Sequence, residues 1–253
     1  MAKVVTKVGT PTSRTDVIKM RGKDTLAEIV GKKTFAETFY FIVTGQMPNA
    51  TQTKVFDACL IILMDHGITP NALVARMVEE ACPEDAQIPI AAGLLMVGNK
   101  YAGTMTGAAV MLSEGIKAPD QAAWAAEYVA KARAAKRRIA GFGHPYYTPD
   151  DPRAARMFQI AEEAGVKGDY IRLIKMVSAE IDKQGKHLTL NVTGAMGALL
   201  LEIGFPVEVM RSVSVIGRAA GLVAHILEEK RTGNAVANSV IDHVNHIDYE
   251  DPS

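Results

Sequence analysis

The sequence predicts an all-α fold. Three observations support this. Alternating apolar–polar runs of the strand type are almost absent, and the apolar residues recur at helical spacing instead. Aromatic residues are only 6% of the chain while alanine is abundant. The 253 residues, 48% of them hydrophobic, suffice for one large domain or two unequal lobes.

The elements follow in order. In "TLAEIVGKKTFAETFYFIVTG", Leu26, Ile29 and Val30 form one apolar stripe. Phe35, Phe39, Ile42 and Val43 form a second, which Gly45 can cap. Thr51 or Thr53 is the expected cap of the next helix, through "KVFDACLIILMDHG". "TPNALVARMVEEAC" opens on Thr69 as N-cap with Pro70 at the first helical position. "IPIAAGLLMVGNKYAGTMTGAAVMLSEG" is rich in Gly and Ala, which allows close helix packing. "PDQAAWAAEYVAKARAAKRR" is an amphipathic helix with a basic end, as the helix dipole favours. Two helices are expected at about 152–164 and 169–183. "LTLNVTGAMGALLLEIG" comes next, and then a long helix from about Val207 to Lys230. The tail "DHVNHIDYEDPS" reads as irregular. Roughly ten helices result, with no repeat or low-complexity segment.

Composition excludes several classes. Lys plus Arg and Asp plus Glu both number 28, so the net charge is zero and gives no general attraction for nucleic acid or an anionic membrane. Cys59 and Cys82 read as buried thiols of a reducing compartment. The start "MAKVVTKVGTPTSR" lacks a signal-type apolar stretch, and the apolar runs are short. The expectation is a soluble cytoplasmic protein. No metal-binding set, P-loop or nucleophile elbow is present.

The chemistry-bearing residues sit near glycines. "GFGHPYYTPDDPRA" places Gly141, Phe142 and Gly143 before His144, with Arg153 nine residues after the histidine. Gly-rich backbone can approach a ligand closely and present its amides. Lys136 and Arg137, in "KRR", precede that loop and suit either a solvated helix end or a ligand's phosphates. Arg153 enters a helix, where the dipole disfavours a cation. It therefore needs an anion, either a ligand or Asp150 or Asp151. His66, in "MDHGITPNA", reads as a capping histidine when taken alone. Arg218 lies among apolar residues of the long helix and needs an acidic partner. His225, two turns further on, reads as a satisfied core histidine.

Taken together these stretches resemble the citrate synthase superfamily, over most of the chain and in the family's order. The matching segments are "RGKDTLAEIVGKKTFAETFYFIVTGQMP", "DHG", "GFGHPYYTPDDPRA", "LNVTGAMGALLLEIGFP" and "IGRAAGLVAHILEEK". The short chain and the wording "DHGITPNA" and "GNKYAGTMTGA" look most like citryl-CoA lyases and the C-terminal module of ATP-citrate lyase. Full citrate synthases carry a histidine near the place of Tyr101.

The resemblance implies a two-lobed helical fold, with a large lobe of 1–98 and 196–253 and a small lobe of 99–195. It implies a homodimer or homotetramer, with "AAGLLMVGNKYAGTMTGAAVML" in the interface. The ligands it implies are a coenzyme A thioester and a dicarboxylate such as oxaloacetate, with no metal. His66 and His144 would be catalytic, His144 polarising the hydroxyl or carbonyl oxygen. Arg153 and Arg218 would bind carboxylates, with Asn191 beside them. The Gly141–Gly143 amides, Lys136 and Arg137 would meet the cofactor on a loop between the lobes. The family's catalytic aspartate falls in "NVD-G", whereas this chain reads Thr193 there. A hydroxyl is no general base near neutral pH without help. Thr193 would then position a water, or Tyr101, Asp150 or Asp151 would serve as the proton donor. A binding or regulatory protein without turnover, or a purely structural helical domain, are the rival readings.

Overall fold

The computed structural model describes residues 4–99, 103–185 and 187–252. Within them lie eleven α-helices: α1 (Phe35–Thr44), α2 (Ala50–Ile61), α3 (Pro70–Ala81), α4 (Gln87–Leu95), α5 (Met105–Gly115), α6 (Gln121–Ala134), α7 (Pro152–Glu163), α8 (Asp169–Lys183), α9 (Val192–Glu202), α10 (Arg211–Arg231) and α11 (Ala235–Val244). A two-stranded hairpin, β1 (Lys19–Met20) and β2 (Lys23–Asp24), precedes them. The all-α expectation holds.

The ends of the helices are set by side chains. Thr34 and Glu37 form a reciprocal capping box on α1, and Gly45 closes it at φ 79°. Arg21, in the hairpin turn, donates to the Ile42 and Val43 carbonyls and so covers the same end. The first apolar stripe forms only a short turn, Thr25–Ile29, in which Ile29 is buried while Leu26 and Val30 are exposed. Asn49 caps α2 in place of the expected Thr51 or Thr53. Its Oδ1 accepts from the Gln52 amide at 2.9 Å, while the Thr51 hydroxyl donates to the Ala164 carbonyl. Pro70 does open α3, but Thr69 makes no side-chain cap bond. Cys59 is buried as expected, whereas Cys82, at the end of α3, is only partly so.

The chain divides into two compact units, residues 1–59 with 107–210, and residues 60–106 with 211–253. This grouping differs from the expected lobes at 1–98 with 196–253 and at 99–195, for a reason visible in the packing. In the first unit Phe39 and Tyr40 of α1 meet Phe56 and Phe205 in an aromatic cluster. The Tyr40 hydroxyl donates to the Ile203 carbonyl at 2.5 Å. That cluster ties the early helices to the end of α9. A second core gathers Leu112, Val129, Leu173, Val177, Ile181 and Ala198. Residues 192–200 of α9 are all buried, as an evenly apolar helix requires.

In the second unit α3, α4, α10 and α11 pack together around Ala72, Ala75, Leu222 and Ile226. Val207–Arg231 is long and apolar enough to cross a bilayer by length and composition alone. Its buried residues, Leu222 and Ile226 among them, pack against α3 and α4 as in a core helix. The tail is not wholly irregular: α11 takes in Asp242, His243 and Val244. Its first amides are satisfied by Glu229 of α10, which accepts from Val236 and Ala237 at 3.0 and 2.8 Å.

Candidate functional site

In the first unit the Gly-rich loop is laid across the start of α9. The Asn191 amide donates to the Gly141 carbonyl at 3.0 Å, and the Gly143 amide to the Thr189 carbonyl at 2.7 Å. Phe142 pairs with Leu190 between these two bonds. Gly141 has φ 86°, and a Cβ there would meet the Gly194 Cα at 2.7 Å. Only glycine fits at that crossing. Asn191 does three things at once. Its Oδ1 caps α9 through the Gly194 amide at 3.0 Å and accepts from the Thr193 hydroxyl at 2.7 Å. Its Nδ2 donates to the Gly143 carbonyl at 2.9 Å, next to His144.

His144 is oriented by its own loop. The Tyr146 and Tyr147 amides both donate to Nδ1, each at 3.1 Å. That lone pair is therefore taken, and the proton of the neutral ring belongs on Nε2. Nε2 lies 3.3 Å from Arg153 Nη2. Two N–H donors thus converge on one spot, which suits a ligand oxygen. Tyr147 supports both groups: its ring lies 4.7 Å from the imidazole, centroid to centroid, and 4.4 Å beneath the guanidinium carbon.

The anion that Arg153 needs is supplied by the chain. Asp151 accepts from Arg153 Nε at 3.0 Å and from Nη2 at 2.9 Å. It also caps α7 through the Arg153 amide and accepts from Val192, the first residue of α9, at 2.9 Å. Its carboxylate is fully buried, so this is not the weak surface pair that the sequence suggested. Burial disfavours the charge, but the bonds from Arg153 and Val192 outweigh it and hold the Asp151 carboxyl below its usual range. So held, it is a poor proton donor, and Asp150 is exposed at the loop surface. Tyr101, the other candidate donor, lies outside the described residues.

The far end of the loop is tied to the segment before α9. Thr189 Oγ1 lies 2.9 and 2.7 Å from the Tyr147 and Pro149 carbonyls, and His187 Nε2 lies 2.8 Å from the Pro149 carbonyl. His187 Nδ1 lies 2.8 Å from Asp182, and the Pro149 carbonyl, followed by the carboxylate, raises the imidazole pKa above 6.5. Only the protonated ring donates to both groups. A raised folded-state pKa means a stabilisation present in full below pH 6.5, the unfolded value, and lost as pH rises through the higher folded-state value. Amide exchange of residues 145–150 is therefore expected to quicken relative to the core between pH 6 and 8. His187→Ala should remove that extra dependence; if the variant keeps it, the latch is wrong.

Lys136 and Arg137 are exposed just past α6, where Lys136 takes a left-handed conformation at φ 50°. Arg137 lies over the Tyr128 ring at 5.4 Å.

In the second unit His66 stands five residues beyond α2, in the segment between α2 and α3. Arg218 is buried in α10, and its Nη1 reaches the Thr69 hydroxyl at 3.5 Å, at the start of α3. His225 is a mostly buried, satisfied histidine, as its sequence context suggested. It lies between Asp65 and Arg76, and that link has no local signature because Arg76 is 149 positions away. Among the described residues no group of three or more His, Cys, Asp or Glu could hold a metal ion. Asp151 was the one structural anchor with a readable signal: an Asp followed by Pro is the N-cap and first-turn pattern that opens α7.

Comparison with known proteins agrees with this architecture. Residues 3–239 match the family described as citrate synthase, C-terminal domain. Citryl-CoA lyase from Hydrogenobacter thermophilus superposes with a TM-score of 0.87 at 29% identity, covering 99% of this chain and 95% of that one. A variant of ATP citrate lyase from Methanosaeta concilii, in complex with (3S)-citryl-CoA, gives a TM-score of 0.81. It covers 100% of this chain and 42% of that one at 19% identity, a likeness of fold alone. Citrate synthase from Haloferax volcanii is 26% identical over 197 residues, 77% of this chain and 51% of that protein. The chain thus spans about half the length of the curated relatives it matches. It belongs to the citrate synthase family.

Proposed function

We propose that this protein binds a coenzyme A thioester of a carboxylated 3-hydroxy acid and breaks its carbon–carbon bond, as in citryl-CoA going to acetyl-CoA and oxaloacetate. The observation that carries this reading is the His144–Arg153 pair, two donors 3.3 Å apart on a glycine loop anchored to α9. The likeness of nearly the whole chain to a citryl-CoA lyase supports it.

In this reading the substrate hydroxyl oxygen accepts from His144 Nε2–H and becomes the oxaloacetate carbonyl. Arg153 holds an adjacent carboxylate, and the family resemblance assigns carboxylate binding to His66 and Arg218 of the second unit too. The bond between the carbinol carbon and the acyl methylene breaks, and its electron pair forms the acetyl-CoA enolate. In balance, the hydroxyl proton ends on that methylene carbon. Asn191 stands beside the substrate and fixes the loop through Gly143. The exposed Lys136 and Arg137 are assigned to the phosphates of coenzyme A, and the loop amides to its thioester end.

Turnover is expected to be slow. Thr193 stands where the family resemblance places a carboxylate, and its hydroxyl is donated to Asn191. That observation also favours a second reading, a binding protein that retains the ligands and has lost turnover. The apolar residues Ile216, Val223 and Leu227 on the exposed side of α10 support a homodimer or homotetramer. A cytoplasmic location completes the proposal.

Calorimetry with coenzyme A and with oxaloacetate, followed by mass-spectrometric detection of acetyl-CoA from citryl-CoA, separates the readings. Both ligands should bind, with coenzyme A weakening as salt screens its phosphates. Absence of coenzyme A binding at millimolar concentration sinks both readings. Binding without any acetyl-CoA leaves only the second.

A further inference from the structure

The face of α10 that carries His225 is cut to fit the turn holding His66. Gly217, Gly221 and His225 follow at four-residue spacing, one above the other on the helix. A Cβ on Gly217 would meet the Leu60 carbonyl oxygen at 2.7 Å, and one on Gly221 the Met64 carbonyl oxygen at 1.7 Å. Only glycines let the helix lie this close to the end of α2 and the residues beyond it. That approach brings His225 Nε2 to 2.8 Å from the Asp65 carboxylate.

The direction of each bond is set from the buried side. Arg76 of α3 directs Nε and Nη2 at His225 Nδ1, at 3.2 and 2.8 Å. A guanidinium has no acceptor, so Nδ1 carries the lone pair and Nε2–H donates to Asp65. The charge of Arg76 is balanced by Glu229 at 2.5 Å and by Glu228. Asp65 in turn accepts from the backbone amide of Gly67, next to His66, at 3.1 Å. Gly67 bends the turn at φ 69°. A chain of bonds therefore runs from the buried guanidinium through one imidazole and one carboxylate to the backbone of Gly67, beside His66.

We infer that His225 is a positioning residue: it locks Asp65, and Asp65 holds the turn that presents His66 to the carboxylated part of the substrate. This rests on the citryl-CoA reading above. Arg76 keeps its carboxylates without His225, so the imidazole matters chiefly to the turn. His225→Leu preserves bulk and removes both bonds. His225→Gln keeps an acceptor for Arg76 and a donor for Asp65.

The test combines citryl-CoA cleavage, oxaloacetate calorimetry and amide hydrogen exchange on the full chain. His225→Leu should lower kcat/KM by about ten- to a hundredfold, the loss of one hydrogen bond to a charged group. It should also quicken exchange at His66 and Gly67. His225→Gln should recover most of both. The double variant His66→Ala with His225→Leu should be no worse than His66→Ala alone, because the effect passes through His66. Wild-type kinetics in His225→Leu, or additive losses in the double variant, overturn the proposal. If the wild type neither binds oxaloacetate nor cleaves citryl-CoA, the reaction reading fails by itself. The exchange arm then still judges the lock, and unchanged exchange in His225→Leu refutes it. Should His225→Leu not fold, Asp65→Asn weakens the same contact from the exposed side and is read against the same outcomes.

Discussion

Asp151→Ala is expected to destabilise the first unit by about 3–5 kcal/mol, the usual result of removing one partner of a buried ion pair. On a unit of this size that lowers Tm by roughly ten degrees. The expectation follows from what the carboxylate holds. It pairs with Arg153 through two nitrogens, caps α7, and takes the first amide of α9. Its loss takes the carboxylate from the partly exposed Arg153 guanidinium and strands the buried Val192 N–H. Asp151→Asn keeps an acceptor for Val192 but sets an amide group against Arg153, so its loss should be smaller. The pH dependence has a defined sign. The folded-state pKa is depressed, so the contribution is complete above about pH 3.9, the unfolded value, and is lost as pH falls through the lower folded value. Wild-type stability should therefore fall more steeply with acid than that of Asp151→Asn. Denaturant unfolding from pH 7 down to about pH 2 reads both. An Asp151→Ala variant with wild-type Tm would show that the pair does not hold the two helices.

What could be read in the sequence was what depends on neighbours along the chain. Thr34 with Glu37, Gly45, and Asp151 with Pro152 are local signals, and α1 and α7 begin or end where those residues stand. Helix α11 was missed because its cap, Glu229, comes from another helix. The caps of α8 are likewise remote: Glu202 receives its first amides, and Arg133 reaches the carbonyls at its end. The candidate site divides in the same way. The glycine loop, His144 and Arg153 were visible as a motif. Asp151 was visible as one possible partner of Arg153, but its burial was not, because that comes from the start of α9. His225 looked like an ordinary core residue because its partners lie far away in sequence. Thr193 was legible as a departure from the family pattern, but the acceptor it faces became apparent only in the folded chain.

Thr193→Asp is expected to raise citryl-CoA cleavage by about a hundredfold or more, the usual worth of a placed general acid. The local geometry decides in which protonation state it does so. Thr193 Oγ1 now donates to Asn191 Oδ1 at 2.7 Å, and that oxygen is committed as an acceptor because it also caps Gly194. An ionised carboxylate cannot donate to it, and two facing acceptors repel. A carboxyl at this buried position is therefore held protonated to higher pH by burial and by that acceptor. A protonated carboxyl is what cleavage needs, since the acetyl-CoA enolate must gain a proton on carbon. Condensation needs the opposite state, a base to remove one. The variant should accordingly gain more in cleavage than in citrate synthesis. Its cleavage rate should fall as pH rises through the carboxyl's raised pKa, with synthesis favoured above it. Thr193→Val separates chemistry from support: it leaves Asn191 its cap bond and its bond to Gly143, and should bind coenzyme A as wild type does. An inert Thr193→Asp that still binds coenzyme A and oxaloacetate would assign the pocket to another substrate or to a binding protein. Rapid cleavage by the wild type would show that a group other than residue 193 already delivers the proton.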